Sequence, residues 1–250
     1  MAIDLKLFKV GTDKAFKVGG SVAGYKPFFP TNISDNIIWL NNDPSTMTLS
    51  GANKVSQWSD SSGSGNHFTQ GTGALQPEFV ANGINGQNGI LWLNSTTLHL
   101  SCTFATTYTQ PYEIFTVWNL DVNSTASYPY VYDRVGSTGD RIQLYWFGNN
   151  IRVGATSIVT AYAKTRPFGL ISNDVLYNGA STKVHENGVL QATVNTGAGN
   201  FQSMRLGHIN GSDANSRFSG YICEVIAYSR ELTTTERDNV NNYLSGKYGL

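Results

Sequence analysis

LGHINGSDANSRFSGYICEVIAYSRELTTTERDNVNNYLSGKYGL, residues Leu206–Leu250, reads in order as an apolar strand, a capped helix and a tyrosine-bearing C-terminal tail. Tyr221 to Tyr228 is apolar on both strand faces except at Glu224, the pattern of a central strand covered on both sides. Thr233 and Glu236 form a T-x-x-E capping box ahead of Val240, Tyr243 and Leu244, the spacing of a short amphipathic helix. Gly246 stands where a left-handed C-cap is expected, with Tyr248 and Leu250 beyond it. The helix is therefore predicted to dock on a sheet.

On a regular strand Glu224 shares a face with Ile222 and Ile226. A buried carboxylate without a partner costs several kcal/mol, so Glu224 is expected to be paired, the alternative being that it looks into a wet concave surface. Glycoside hydrolysis uses a pair of carboxylates, as acid and as nucleophile or base, and a second one on the same strand face would stand two residues from Glu224. Those positions are the two isoleucines.

Upstream, from Ile37 onward, short apolar segments alternate with turn chemistry. Asn-Gly pairs begin at Asn82, Asn85, Asn88, Asn178, Asn187 and Asn210, and both residues tolerate positive φ, so each marks a reversal. The clearest hairpin is Lys183 to Leu190, turning at Asn187-Gly188. Strand signals cover Glu113 to Leu120, Tyr128 to Val135, Arg141 to Phe147 and Phe201 to Gly207. Charged residues make up 14% of the chain and aromatics 12%, with 26 glycines, the profile of a turn-rich all-β protein. A two-sheet antiparallel sandwich accounts for these elements.

Formal net charge is zero, which supplies no electrostatic draw toward nucleic acid or an acidic membrane. No run of about 18 apolar residues occurs, and MAIDLKLFKVG has no apolar signal-peptide core; a soluble product made in the cytosol is expected. Cys102 and Cys223 are expected to be free thiols on that basis. G-x-S-x-G, H-E-x-x-H, G-x-x-x-x-G-K-[ST] and C-x-x-C are all absent, and His67, His99, His185 and His208 are scattered. No enzyme activity is expected.

The phrase Trp58-Ser59-Asp60-Ser61-Ser62-Gly63-Ser64-Gly65-Asn66, a W-S-D-x-S-G-x-x-N pattern, follows Ile38-Trp39-Leu40 and precedes Gln76-Pro77-Glu78-Phe79. Together with the closing block, these residues resemble laminin G-like domains of the phage and bacterial type, a branch of the concanavalin A-like lectin and glucanase superfamily. The resemblance covers about residues 37 to 250. It implies a jelly-roll sandwich over 35–250, closed by the short C-terminal helix, with residues 1–34 as a separate N-terminal arm. Some relatives bind calcium. No D-x-D-x-D-G run supplies a ligand set here, so no cofactor is assigned, and Asp60 is read as capping its own loop through an Asx-turn.

If Val135 pairs with Asp140, antiparallel register sets Arg134 opposite Arg141, Tyr132 opposite Gln143 and Tyr130 opposite Tyr145. These six residues then share one face, while Val131, Ile142, Leu144 and Trp146 take the other, with Asp133 as its exception. Flat phenol rings and guanidinium forks suit a pyranose and its hydroxyl or carboxylate groups, and the opposed arginines call for an anion such as an acidic glycan. A solvated outer face or a subunit interface fits the same composition.

In the arm five lysines against two aspartates leave a charge of +3. It repeats Phe8-Lys9-Val10-Gly11 as Phe16-Lys17-Val18-Gly19, which predicts a small hairpin, and ends in Lys26-Pro27-Phe28-Phe29-Pro30, an extended linker. Phe8, Lys9, Phe16, Lys17, Phe28 and Phe29 are candidate anchoring residues on another protein; a flap folded back on its own domain is the alternative. The combined expectation is a virion appendage of a tailed phage (head fibre, decoration or tail component), docked on capsid or tail proteins through the arm and contacting host-surface glycans. Symmetric homo-oligomers are expected of such appendages. A purely structural virion subunit is the alternative, and a carbohydrate-active enzyme a more distant one.

Overall fold

The strand Gly220–Tyr228 is the centre of the first of two antiparallel sheets in the computed structural model, which describes residues 27–93, 96–122, 124–136, 141–166, 168–209, 211 and 213–250 and the backbone of 8–10, 13–15, 17–18 and 21–22. Tyr112–Trp118 pairs along one edge of that strand, while Asn36–Leu40 and Gln87–Trp92 share the other. Ile171–Tyr177, Thr182–Glu186 and Val189–Val194 continue the sheet beyond Tyr112–Trp118. Glu78–Ile84 extends it past Gln87–Trp92.

The second sheet runs Leu100–Tyr108, Phe201–Leu206, Tyr130–Asp133, Gln143–Phe147, Asn150–Gly154 and Ile158–Ala163. Phe68–Thr69, Lys54–Trp58 and Met47–Ser50 follow from its other edge. The sheets meet where Lys54 pairs with Glu78, giving the nearly closed, mostly antiparallel sandwich expected of the sequence. The helix is Thr234–Tyr248. Among the described residues no helix is long and apolar enough to cross a membrane.

Tyr112–Trp118 shows why such strands are apolar throughout. Ile114 and Trp118 enter the core between the sheets, whereas Phe115 and Val117 lie under the helix against Val240, Leu244 and Tyr248. A strand with two apolar surfaces to cover has no polar face. In Gly220–Tyr228 the register slips at Cys223, so that Val117 faces Glu224 and Trp118 faces Ile222. This bulge corrects the expected strand faces: Ile222 enters the sandwich core, and Glu224 joins Ile226 and Tyr228 on the helix side.

Thr233 and Glu236 cap the helix as the sequence predicts, with Thr233 N–H donating to Glu236 Oε2 (2.9 Å) and Glu236 N–H to Thr233 Oγ1 (3.3 Å). The left-handed C-cap is Gly249 (φ 70°), not Gly246, which is helical, and Tyr248 is the buried last helical residue. Asn85-Gly86 and Asn187-Gly188 make the tight hairpin turns, both residues of each at positive φ. Gly83 and Gly89 instead lie within strands, where a Cβ would come 2.8 and 2.9 Å from the Tyr221 ring. Those two glycines are a bed for an aromatic ring.

Asp60 is the loop cap the sequence suggests. Its Oδ1 accepts from Ser62 N–H (2.9 Å), and also from Trp39 N–H (2.9 Å), which ties the Trp58 to Asn66 loop to the strand Asn36–Leu40. Cys102 and Cys223 are free and lie on different layers, the first against the sandwich core and the second under the helix. In the arm, Phe8–Val10 pairs with Asp13–Ala15, and Lys17–Val18 with Ser21–Val22. The single hairpin expected between the two repeated phrases is thus replaced by two shorter ones. Phe16, and the side chains of Phe8, Lys9 and Lys17, lie outside the described residues. Phe28 and Phe29 fold back onto the domain, Phe28 edge-on to Tyr243 (6.1 Å) and Phe29 tilted on Trp39 (6.0 Å).

Candidate functional site

The hairpin face predicted to hold sugar is packed shut. Tyr130 does oppose Tyr145, but the register shifts before Tyr132, which faces Leu144 rather than Gln143. Tyr132 consequently turns into the sandwich, where its hydroxyl meets that of Tyr177 at 3.1 Å. Tyr130, Tyr132, Gln143 and Tyr145 are 4%, 0%, 1% and 5% exposed, and Tyr130 stacks on Tyr145 with ring centroids 4.4 Å apart. Arg141 forks onto Asp133 (3.1 and 2.6 Å), so a local acid, not a ligand, answers its charge. A ring whose face is covered cannot stack on a pyranose, so Tyr130, Tyr132, Gln143 and Tyr145 make no open sugar platform; Arg134 and Arg141, predicted on the same face, are half-buried.

An open cleft of about 890 Å³ lies elsewhere, on the helix side of the first sheet. This is within the size range of small-ligand sites. Its walls come from four distant parts of the chain: the linker Pro27 to Phe29, the strand end and loop Trp39 to Asp43, the hairpin around Asn82 to Asn88, and the helix face carrying Asn239, Asn242, Tyr243 and Lys247. The aromatic components are half-buried Trp39, Tyr243 and Phe28, with Phe29 44% exposed at the rim.

Glu224 sets the aromatic wall. Its Oε1 accepts from Trp39 Nε1–H (2.7 Å) and Tyr243 O–H (2.8 Å), and its Oε2 from Tyr248 O–H (2.7 Å) and Lys247 Nζ (2.7 Å). One buried carboxylate thus orients two cleft rings and docks the end of the helix. Burial, followed by this carboxylate's charge, raises both tyrosine hydroxyls well above the ordinary phenol range, so they remain donors.

The amide wall is half structural and half free. Asn42 Nδ2 donates to Asn88 O (3.1 Å) and Asn88 Nδ2 to Asn42 O (3.2 Å), locking loop to hairpin. Asn88 Oδ1 also accepts from Asn82 N–H (3.1 Å). Asn82, Gln87, Asn239 and Asn242 have no hydrogen bond from their side chains among the described residues, and each lines the cleft. An amide offers two donors and an acceptor, the complement of a hydroxyl-rich ligand. The sequence hid this site because each asparagine, taken alone, reads as turn or helix-surface chemistry; the i, i+3 pair Asn239 and Asn242 on the helix was the one local signal.

A second buried polar cluster lies under the helix N-terminus. Glu113 accepts from Arg237 Nε (2.5 Å) and Nη2 (3.0 Å) and from Leu232 N–H (2.9 Å). Asp174 stands 3.4 Å from Arg237 Nε and 3.1 Å from His185 Nδ1. The cluster is closed over by the helix, which makes it a docking device. Among the described residues no group of three His, Cys, Asp or Glu side chains is placed to hold a metal.

No protein-family model matches the chain, and no curated protein matches it by sequence. Solved structures do resemble it. Domain 4 of AbnA, a GH43 extracellular arabinanase from Geobacillus stearothermophilus in complex with arabinotriose, superposes with TM-score 0.58 at 15% identity, over 83% of this chain and 98% of that one. Trypanosoma rangeli sialidase in complex with sialic acid gives 0.60 at 12% identity over 84% of this chain, which spans 33% of the sialidase. The binding domain of botulinum neurotoxin DC in complex with rat synaptotagmin II gives 0.60 at 12% identity over 84%, spanning 52% of that chain. At such identities the likeness is one of fold: the chain shares the β-sandwich of these domains.

Proposed function

We propose that this protein is a non-enzymatic carbohydrate-binding sandwich whose site is the cleft between Trp39, the Asn82 to Asn88 hairpin and the helix. The observation that carries the reading is the pairing of two oriented aromatic rings with four unengaged amides in one open cleft. Flat rings cover the apolar face of a sugar while amides meet its hydroxyls. Asp43 is the cleft's only carboxylate among the described lining residues, whereas glycoside hydrolysis uses a pair. Arabinotriose in the similarly folded arabinanase domain adds support from analogy of fold.

Titration with neutral trisaccharides tests it. Trp39→Ala is expected to weaken binding by about thirtyfold, the loss of a central aromatic anchor of about 2 kcal/mol. Asn242→Ala, exposed on the helix, is expected to weaken it by several-fold with no change in folding. Affinity unaltered in both variants would remove the cleft as the site.

In the same reading the sandwich is displayed on a tailed-phage virion, with the +3 arm engaging capsid or tail proteins. The resemblance of the Trp58 to Asn66 phrase and the charge of the arm support this. Exchanging Lys6, Lys9, Lys14 and Lys17 for glutamate in the full chain is expected to abolish incorporation into particles. Normal incorporation would leave the arm without that role.

A further inference from the structure

We infer that the cleft selects uncharged saccharides and discriminates against those bearing a carboxylate. The inference rests on the carbohydrate reading above and names the ligand class of that site. Among the described lining residues the only charged side chains are Asp43 and Lys247. Lys247 is not available to a ligand anion: its Nζ is 2.7 Å from Glu224 Oε2 and 3.1 Å from Tyr243 Oη, and lies 5.3 and 5.2 Å over the rings of Tyr243 and Tyr248. Its side chain is 16% exposed, and its partner carboxylate is wholly buried. Drawing that ammonium toward a ligand would strand Glu224 without its counter-ion.

Asp43 is the opposite case. It is exposed at the cleft, and the Ser45 backbone N–H (2.9 Å), followed by the Ser45 side chain, holds its carboxyl below the usual range, so it is ionised at neutral pH. With Lys247 neutralised by Glu224, the cleft presents a net negative charge and amides in place of guanidinium forks. A ligand carboxylate would be desolvated without a counter-ion and would face Asp43, a juxtaposition that interfaces use to reject partners. Hydroxyls meet no such cost at Gln87, Asn239 and Asn242. The selectivity is thus the reverse of the acidic-glycan preference read from the arginines of the hairpin.

The test is calorimetric titration of the full chain with neutral arabino-, gluco-, galacto- and manno-trisaccharides and with the same compounds after oxidation of the terminal hydroxymethyl to a carboxylate. At least one neutral compound is expected to bind with little dependence on salt, and its oxidised form about tenfold or more weakly. Asp43→Asn is expected to narrow that gap; an asparagine Oδ1 can still accept from Ser45 N–H and cap the 3-10 turn Pro44–Thr46, since Asn caps as well as Asp. An oxidised compound that binds as tightly as its parent, and is lost in Trp39→Ala, would overturn the selectivity while leaving the site. Absence of binding by every compound would overturn both.

Discussion

Replacing Glu224 with alanine is expected to destabilise the fold by about 3 kcal/mol and to abolish binding at the cleft. Breaking a buried ion pair by removing one partner ordinarily costs about 3–5 kcal/mol, because the remaining charge is left uncompensated. Here the lower end applies, since Lys247 retains some exposure and can swing to water. Tyr248 cannot; it is buried and keeps only the Cys223 carbonyl (3.2 Å) once Glu224 is gone. Trp39 and Tyr243 lose the carboxylate oxygen they share, so the cleft rings lose their fixed angle even in molecules that stay folded. Glu224→Gln keeps the shape and one acceptor, and is expected to fall between the two. Urea unfolding of the three proteins reads the first effect and trisaccharide titration the second. A loss under 1 kcal/mol in the alanine variant would mean that water satisfies the donors and that the carboxylate does not organise the cleft.

The helix cap, the central strand and the hairpins at Asn85 and Asn187 were legible in the sequence because each is specified by residues within a few positions of one another. What was not legible turned on single-residue slips and on distance. The bulge at Cys223 moves Ile222 to the opposite side of the sheet, and the shift before Tyr132 sends a ring predicted on the surface into the core. An extra residue in a strand inverts every face beyond it, and no local pattern announces it. The Glu113–Arg237 contact joins positions 124 residues apart, and the cleft gathers residues from 27 to 247. Gly246 was a reasonable C-cap, but Tyr248 completes the apolar stripe with Val240 and Leu244, so packing extends the helix to Gly249.

Stability is expected to decline as pH rises from about 6.5 to 8, against the usual acid-side behaviour of carboxylates. Burial, then the charge of Asp174, pushes the Glu113 carboxyl up to about 8 against the opposing pull of Arg237. Burial pushes Asp174 up to about 7, with Arg237 and Lys183 opposing, and Glu231 draws Lys183 away at 3.2 Å. Both groups are raised above their unfolded values of 4.5 and 3.8, so the folded state keeps protons that the unfolded chain releases. Their contribution is therefore fully present below pH 4 and is lost as pH climbs through 7 and 8, at no more than about 1.4 kcal/mol per pH unit for each proton. His99, His185 and His208 act in the other direction: burial holds each below 6.5, so their contribution is lost as pH falls through that range. Between about pH 4 and 6.5 the two limbs oppose each other, and above 6.5 the carboxylate limb acts alone. Asp174→Asn removes the charge that repels Glu113 and should flatten the alkaline limb while leaving the histidine limb in place. Urea midpoints at pH 6, 7, 8 and 9 measure this. A wild-type curve that stays level or rises over that range, or an unchanged slope in Asp174→Asn, would show that Arg237 holds both carboxylates ionised throughout.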